Sequence, residues 1–141
     1  MIAARGASRF AVIVLSTVLA GGCSDACQNT VIDRVRSPGG DFEAVGFQRD
    51  CGATTGYSTQ VSMLAVGEAL DGGGNVFVAD DDHGKATTGS WGGPWADIRW
   101  QSSDRLLVRY AEKSRIFEQD PSVSGIAIQF EPHQPEADDL T

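Results

Sequence analysis

Tyr57-Ser58-Thr59-Gln60-Val61-Ser62-Met63-Leu64-Ala65 is the clearest strand in this 141-residue sequence. Tyr57, Thr59, Val61 and Met63 fall on one face, while Ser58, Gln60 and Ser62 face away, the period of two of a half-buried strand. Immediately before it, Arg49-Asp50-Cys51-Gly52-Ala53-Thr54-Thr55-Gly56 is a small-residue loop carrying a cysteine. On its upstream side Phe42 to Arg49 is again extended, with Val45 and Phe47 on one face and Phe42 and Ala44 on the other. Ser37-Pro38-Gly39-Gly40-Asp41 has turn chemistry at every position and joins this run to the β-branched Thr30 to Val35, which predicts a hairpin.

Downstream the punctuation continues. Val66 to Leu70 has room for one helical turn before Asp71-Gly72-Gly73-Gly74 stops it, and Asn75 to Ala79 is a short buried strand. Asp80-Asp81-Asp82-His83-Gly84 ends that strand and opens a long surface loop through Ser90. Ala96 to Trp100 points Ala96, Ile98 and Trp100 inward and turns at Ser102-Ser103-Asp104 into Arg105 to Tyr110, a second hairpin. Ala111 to Gln119 is charged and reads as a loop with one helical turn, and the last strand spans Ser124 to Phe130. About seven short strands with Gly- and Pro-rich turns predict an all-β fold, a single antiparallel meander domain forming a sandwich or a partly open barrel.

The first 22 residues read as a leader. Arg5 and Arg9 precede an apolar run, Phe10 to Ala20, of signal-peptide length and too short to span a bilayer. Leu19-Ala20-Gly21-Gly22-Cys23 resembles the lipobox of bacterial lipoproteins, with Ala20 where leucine is most usual, three places before the cysteine. The resemblance implies cleavage before Cys23, a diacylglyceryl group on its sulfur and a fatty acyl chain such as palmitate on its amine. Such multiple acylation anchors a protein stably. The alternative is an ordinary secretory signal, with Cys23 a plain thiol. Ser24 after a lipidated cysteine implies export to the outer membrane, facing the periplasm, in a Gram-negative cell. The expected organisation is signal peptide 1–22, tether 23–29, β domain 30–130 and a disordered acidic tail 131–141 with two prolines.

With Cys23 set aside for lipid, Cys27 and Cys51 remain as an even pair suited to a disulfide in an oxidising compartment. The rival reading makes Cys51 a reactive thiol beside Arg49, the one cation near it in sequence, serving a thiol-dependent envelope enzyme or redox protein. Removing the leader takes two arginines and no acid, so the formal charge moves from −8 to −10. That balance repels nucleic acid and offers no basic patch to anionic lipid, leaving the lipid at Cys23 as the membrane contact.

No catalytic signature emerges. Asp80-Asp81-Asp82 lacks the alternating order and terminal glutamate of an EF-hand loop, and His83 has no partner histidine or cysteine set for zinc, so no metal and no cofactor are expected. Nothing in the sequence brings Cys51 and His83 together as a nucleophile and base. Gly56 to Gln60 lacks the second glycine of a nucleophile elbow. Trp91-Gly92-Gly93-Pro94-Trp95 offers either an aromatic ligand platform of Trp91 and Trp95 or two rings buried at a sheet end.

The Ser37-Pro38-Gly39-Gly40 turn, the Arg49-Asp50-Cys51-Gly52-Ala53-Thr54-Thr55 loop and Gln60-Val61-Ser62 together resemble a group of small exported bacterial proteins of no established activity. In that group the turn reads Ser-Pro-Asp-Gly, and Gly39 stands here in place of the aspartate. The likeness covers most of residues 27 to 110 and implies one exported domain. The expected function is therefore a non-enzymatic, lipid-anchored envelope protein that binds a protein or a cell-wall component.

Overall fold

The computed structural model describes residues 26–141. Cys23, its lipobox and the leader lie outside the described residues. The fold is all-β, as the alternation and turn spacing predict. Nine strands follow in order: β1 (Gln28–Arg36), β2 (Phe42–Asp50), β3 (Ser58–Ala65), β4 (Phe77–Asp80), β5 (Ala96–Ser102), β6 (Arg105–Ala111), β7 (Arg115–Gln119), β8 (Ser122–Val123) and β9 (Ile126–His133). They form a five-stranded sheet, β1-β2-β3-β4-β7, and a four-stranded sheet, β5-β6-β9-β8. The sheets do not close into a barrel. They pack as two layers, because Ala44, Val61, Met63, Phe77 and Ala79 of the first share one core with Ile98, Leu106, Val108, Ile126 and Ile128 of the second. The Phe77 ring sits at its centre, 5.4 Å from Tyr110 and 6.1 Å from Phe130.

Both expected hairpins are present. In the first, the Ser37 amide donates to the Phe42 carbonyl at 2.8 Å and the Gly40 amide to the Ser37 carbonyl at 2.9 Å. Gly40 has φ +83°, which a side chain would strain. β1 to β4 then run as an antiparallel meander, each strand paired to the next.

The second half departs from the expected pattern. Residues 115–119, expected as a loop with a helical turn, are strand β7, paired to β4 at the edge of the first sheet. Only Ile116 of this strand packs on the core, while its neighbours are exposed. An edge strand open on its outer side needs one apolar position in two, and so reads as charged and mixed. This excursion between sheets returns the chain to the second sheet in the same direction, and β9 pairs with β6 in parallel. Residues 112–125 supply the long crossover that parallel pairing requires.

The alternation of β3 also means something different from its first appearance. Gln60 is 6% and Ser62 2% exposed. The outer face of β2 and β3 carries a second small core of Val45, Phe47 and Leu64, covered by Leu70 from the β3–β4 connection. That connection has a tight turn at Val66–Gly67 in place of the expected helical turn. Polar side chains tie it down: Gln60 accepts from the Gly74 amide at 2.7 Å, and Asn75 bonds both the amide and the carbonyl of Met63. A Cβ on Gly74 would stand 2.7 Å from the Phe77 carbonyl oxygen, so the close approach requires glycine. Tyr57, expected to point inward, precedes the strand and is 44% exposed.

The expected disordered tail from Glu131 is replaced by structure. β9 continues to His133, and a 3-10 turn at Ala137–Leu140 returns Leu140 onto the cluster of Ala86, Trp95 and Ala111. The prolines and acids suggested solvation. His133 within the tail and the distant Trp95 indole supply Asp139 with partners that composition does not reveal.

Candidate functional site

The outer face of the first sheet is covered over β2 and β3 and open over β4 and β7. At the open end lies a cleft of about 420 Å³, lined by the Cys51–Gly56 loop, the Asp80–His83 turn and the outward residues of β4 and β7. The register of β3 against β4 creates it. Ser58 pairs with Asp80, so the loop leading into β3 stands opposite the turn that leaves β4. Cys51 and His83, which no sequence pattern brings together, therefore line one cleft.

Cys51 is bonded to Cys27, as the cysteine count predicts. The bridge follows directly on the Gln28–Asp50 pair that ends the β1–β2 ladder, so it closes the open end of the first hairpin. Closing a loop with a sequence separation of 24 stabilises the fold by roughly 3 kcal/mol in the chain-entropy model. The same bridge fixes one end of the cleft wall. Next to it, Arg49 is 9% exposed and donates to Asn29 at 2.7 Å and to the Gly72 carbonyl at 2.9 Å, joining β1, β2 and the covering connection.

The other wall is an aligned chain of three side chains. Asp80 accepts two hydrogen bonds from Arg115, the Nε contact at 3.1 Å and a second from the terminal nitrogen. Arg115 in turn lies over Phe117, its guanidinium carbon 5.2 Å from the ring centroid. Burial alone would raise the Asp80 carboxyl, but the hydrogen bonds from Arg115 and from the Asp82 amide outweigh it and hold the group below its ordinary value. The same Asp80 bond leads the causes that push Arg115 up. Asp82 is held low chiefly by its hydrogen bond from Lys85, at 2.7 Å. Asp82 and His83 both adopt positive φ, 48° and 60°, which turns the chain sharply away from β4. Among the described residues no group of three or more His, Cys, Asp or Glu could hold a metal ion.

The tryptophans expected as a candidate platform are engaged elsewhere. Trp95 is 3% exposed, its indole donating to the Asp139 carbonyl at 2.8 Å and its ring packed between His133 and Arg109. The Asp139 carboxyl is held low, first by the Glu136 amide and then by His133 at 3.2 Å. The half-buried Trp91 donates to Thr59 Oγ1 at 2.8 Å, and that hydroxyl donates to the Pro94 carbonyl at 2.6 Å. These rings brace loops and present no open platform. The most exposed large apolar ring among the described residues is instead Phe117, 59% accessible, which a sequence reading of residues 111–119 as a loop passes over. The signal for it was the alternation Arg115, Ile116, Phe117, with the apolar residue between two that face outward.

Comparison with family models, curated proteins and solved structures found no match for this chain.

Proposed function

We propose that the chain is a non-enzymatic, lipid-anchored protein of the cell envelope, and that the cleft beside the Cys27–Cys51 bridge holds its partner, a protein or a cell-wall component. The observation that carries this reading is the accounting of cysteines. Of three in the sequence, Cys27 and Cys51 pair with each other, which leaves Cys23, at the end of the lipobox-like run, as the one to be acylated. An exported setting suits the disulfide, and Ser24 after Cys23 suits the outer membrane, facing the periplasm, in a Gram-negative cell. Cys27 lies four positions after Cys23, with three residues between them. A fully extended chain of that length spans at most ~14 Å, so the lipid tethers the cleft end of the sandwich close to the membrane surface.

Intact mass of the protein extracted from membranes tests the reading. The expected result is a chain beginning at Cys23 with the mass of attached lipid, and two thiols that alkylate only after reduction. A chain with no lipid overturns the anchor. The competing thiol-dependent role of Cys51 is favoured by one observation, that Cys51 shares the cleft with His83. Alkylation of Cys51 without prior reduction would decide for it.

A further inference from the structure

We propose that the cleft is a saccharide site, taking a neutral pyranose such as an N-acetylhexosamine against the ring of Phe117. The proposal rests on the reading of the chain as an envelope binding protein and names the ligand class of that protein's cleft.

Three features carry it. The first is the ring. Phe117 is the most exposed large apolar side chain among the described residues, yet it is held in place, because Asp80 fixes Arg115 and Arg115 backs one side of the ring. An aromatic face is the negative part of its quadrupole, and the C–H bonds on one face of a pyranose present a weakly positive, apolar surface that stacks on it. Val78, half-buried on the outward side of β4, extends the apolar floor.

The second is the polar lining. Thr54 brings a hydroxyl, which both donates and accepts, Asp81 brings a carboxylate and His83 an imidazole. Sugar hydroxyls need this mixture, since each is donor and acceptor at once.

The third is charge. Both arginines of the cleft are already committed to hydrogen bonds, Arg49 to Asn29 and Gly72 and Arg115 to Asp80, while Asp81 faces the same space. The whole chain carries −8. The charges lining the cleft, Arg49 and Arg115 against Asp80 and Asp81, balance, so a phosphate or carboxylate would gain no uncommitted cation and would face Asp81, whereas a neutral polyhydroxylated ring needs no counter-charge. The volume, about 420 Å³, falls within the ~300–1,000 Å³ of small-ligand sites.

The first test is an NMR titration of the soluble domain with the β-1,4-linked disaccharide of N-acetylglucosamine. Saturable shifts of the Val78, Asp81, His83 and Phe117 amides are expected, with Phe117→Ala raising Kd at least tenfold. Because Phe117 is 59% exposed, the variant should fold, and an unchanged fingerprint spectrum away from β7 checks that it does. No shift at millimolar sugar, or shifts only outside the cleft, overturns the saccharide assignment. A photoreactive residue in place of the exposed Thr54, in the lipidated protein in intact envelopes, separates this failure from failure of the broader reading. An adduct released by muramidase, or one extracting with glycolipid, supports the sugar site and names its source. Capture of one specific protein overturns the saccharide while leaving the envelope-binding reading standing. No adduct above a surface control overturns both.

Discussion

Phe47 and Phe117 project from the same outer face of one sheet, and their surroundings are opposite. Phe47 is 0% exposed beneath the β3–β4 connection, and Phe117 is 59% exposed at the edge beside the cleft. The covered half is a miniature core, closed by Leu70 and pinned by Asn75, Gln60 and Arg49. The open half has no covering segment among the described residues, and its ordering comes from side chains, through the Asp80–Arg115–Phe117 chain. A sheet face that a domain needs only for stability can be roofed over. Here half of it is left bare, with Arg115 laid over an exposed aromatic ring, and that half is where the proposed ligand would sit.

That contrast can be broken by mutation. Phe47→Ala should cost the most, about 3–5 kcal/mol as expected for emptying a packed aromatic site, measured by urea unfolding. A loss below about 1 kcal/mol would mean the covered half is not a core at all. Reducing the Cys27–Cys51 bridge should cost about 3 kcal/mol, seen as a drop in Tm on adding reductant that a Cys27→Ser, Cys51→Ser double variant does not show. Gly74→Ala should cost about 1–3 kcal/mol, because its Cβ would overlap the Phe77 and Val61 carbonyl oxygens at 2.7 and 2.8 Å. An unchanged Tm there would show that the connection lifts freely from the sheet.

The open half should respond to pH before it responds to truncation. Asp80 titrates below 3.8 in the folded chain, so its bond to Arg115 stabilises fully above that value and is lost as pH falls through the lower folded one. Asp80→Asn should therefore flatten the acid limb of stability below about pH 4. An acid limb identical to the parent's would remove the ion pair from the account. Phe117→Ala should have the smallest effect on stability, within about 0.5 kcal/mol, while weakening saccharide binding. A large destabilisation would make the ring structural and close the distinction between the two halves.

Much of the fold was legible because local chemistry decided it. The Ser37–Asp41 and Ser102–Asp104 turns set two hairpins, and alternation assigned the inward faces of β3 and β5 and separated the two faces of β2. The count of three cysteines was enough to pair Cys27 with Cys51 once Cys23 was taken for lipid. What failed did so wherever burial depended on a distant segment. Gln60 and Ser62 read as solvent-facing because nothing local shows that residues 66–75 fold back over them. Trp95 could not be read apart from the last residues, since the Asp139 carbonyl and the half-buried Leu140 help to cover it.

The candidate site divides in the same way. Sequence alone determined the pieces: a small-residue cysteine loop, an acidic turn carrying His83, and a charged stretch holding Arg115 and Phe117. Only the tertiary structure decided that they meet, because the register Ser58 to Asp80 and the pairing of β7 to β4 are set by which strands share the core. A period of two tells which residues share a face. Which strand lies alongside which depends on contacts between residues far apart in the chain, and no local pattern records them.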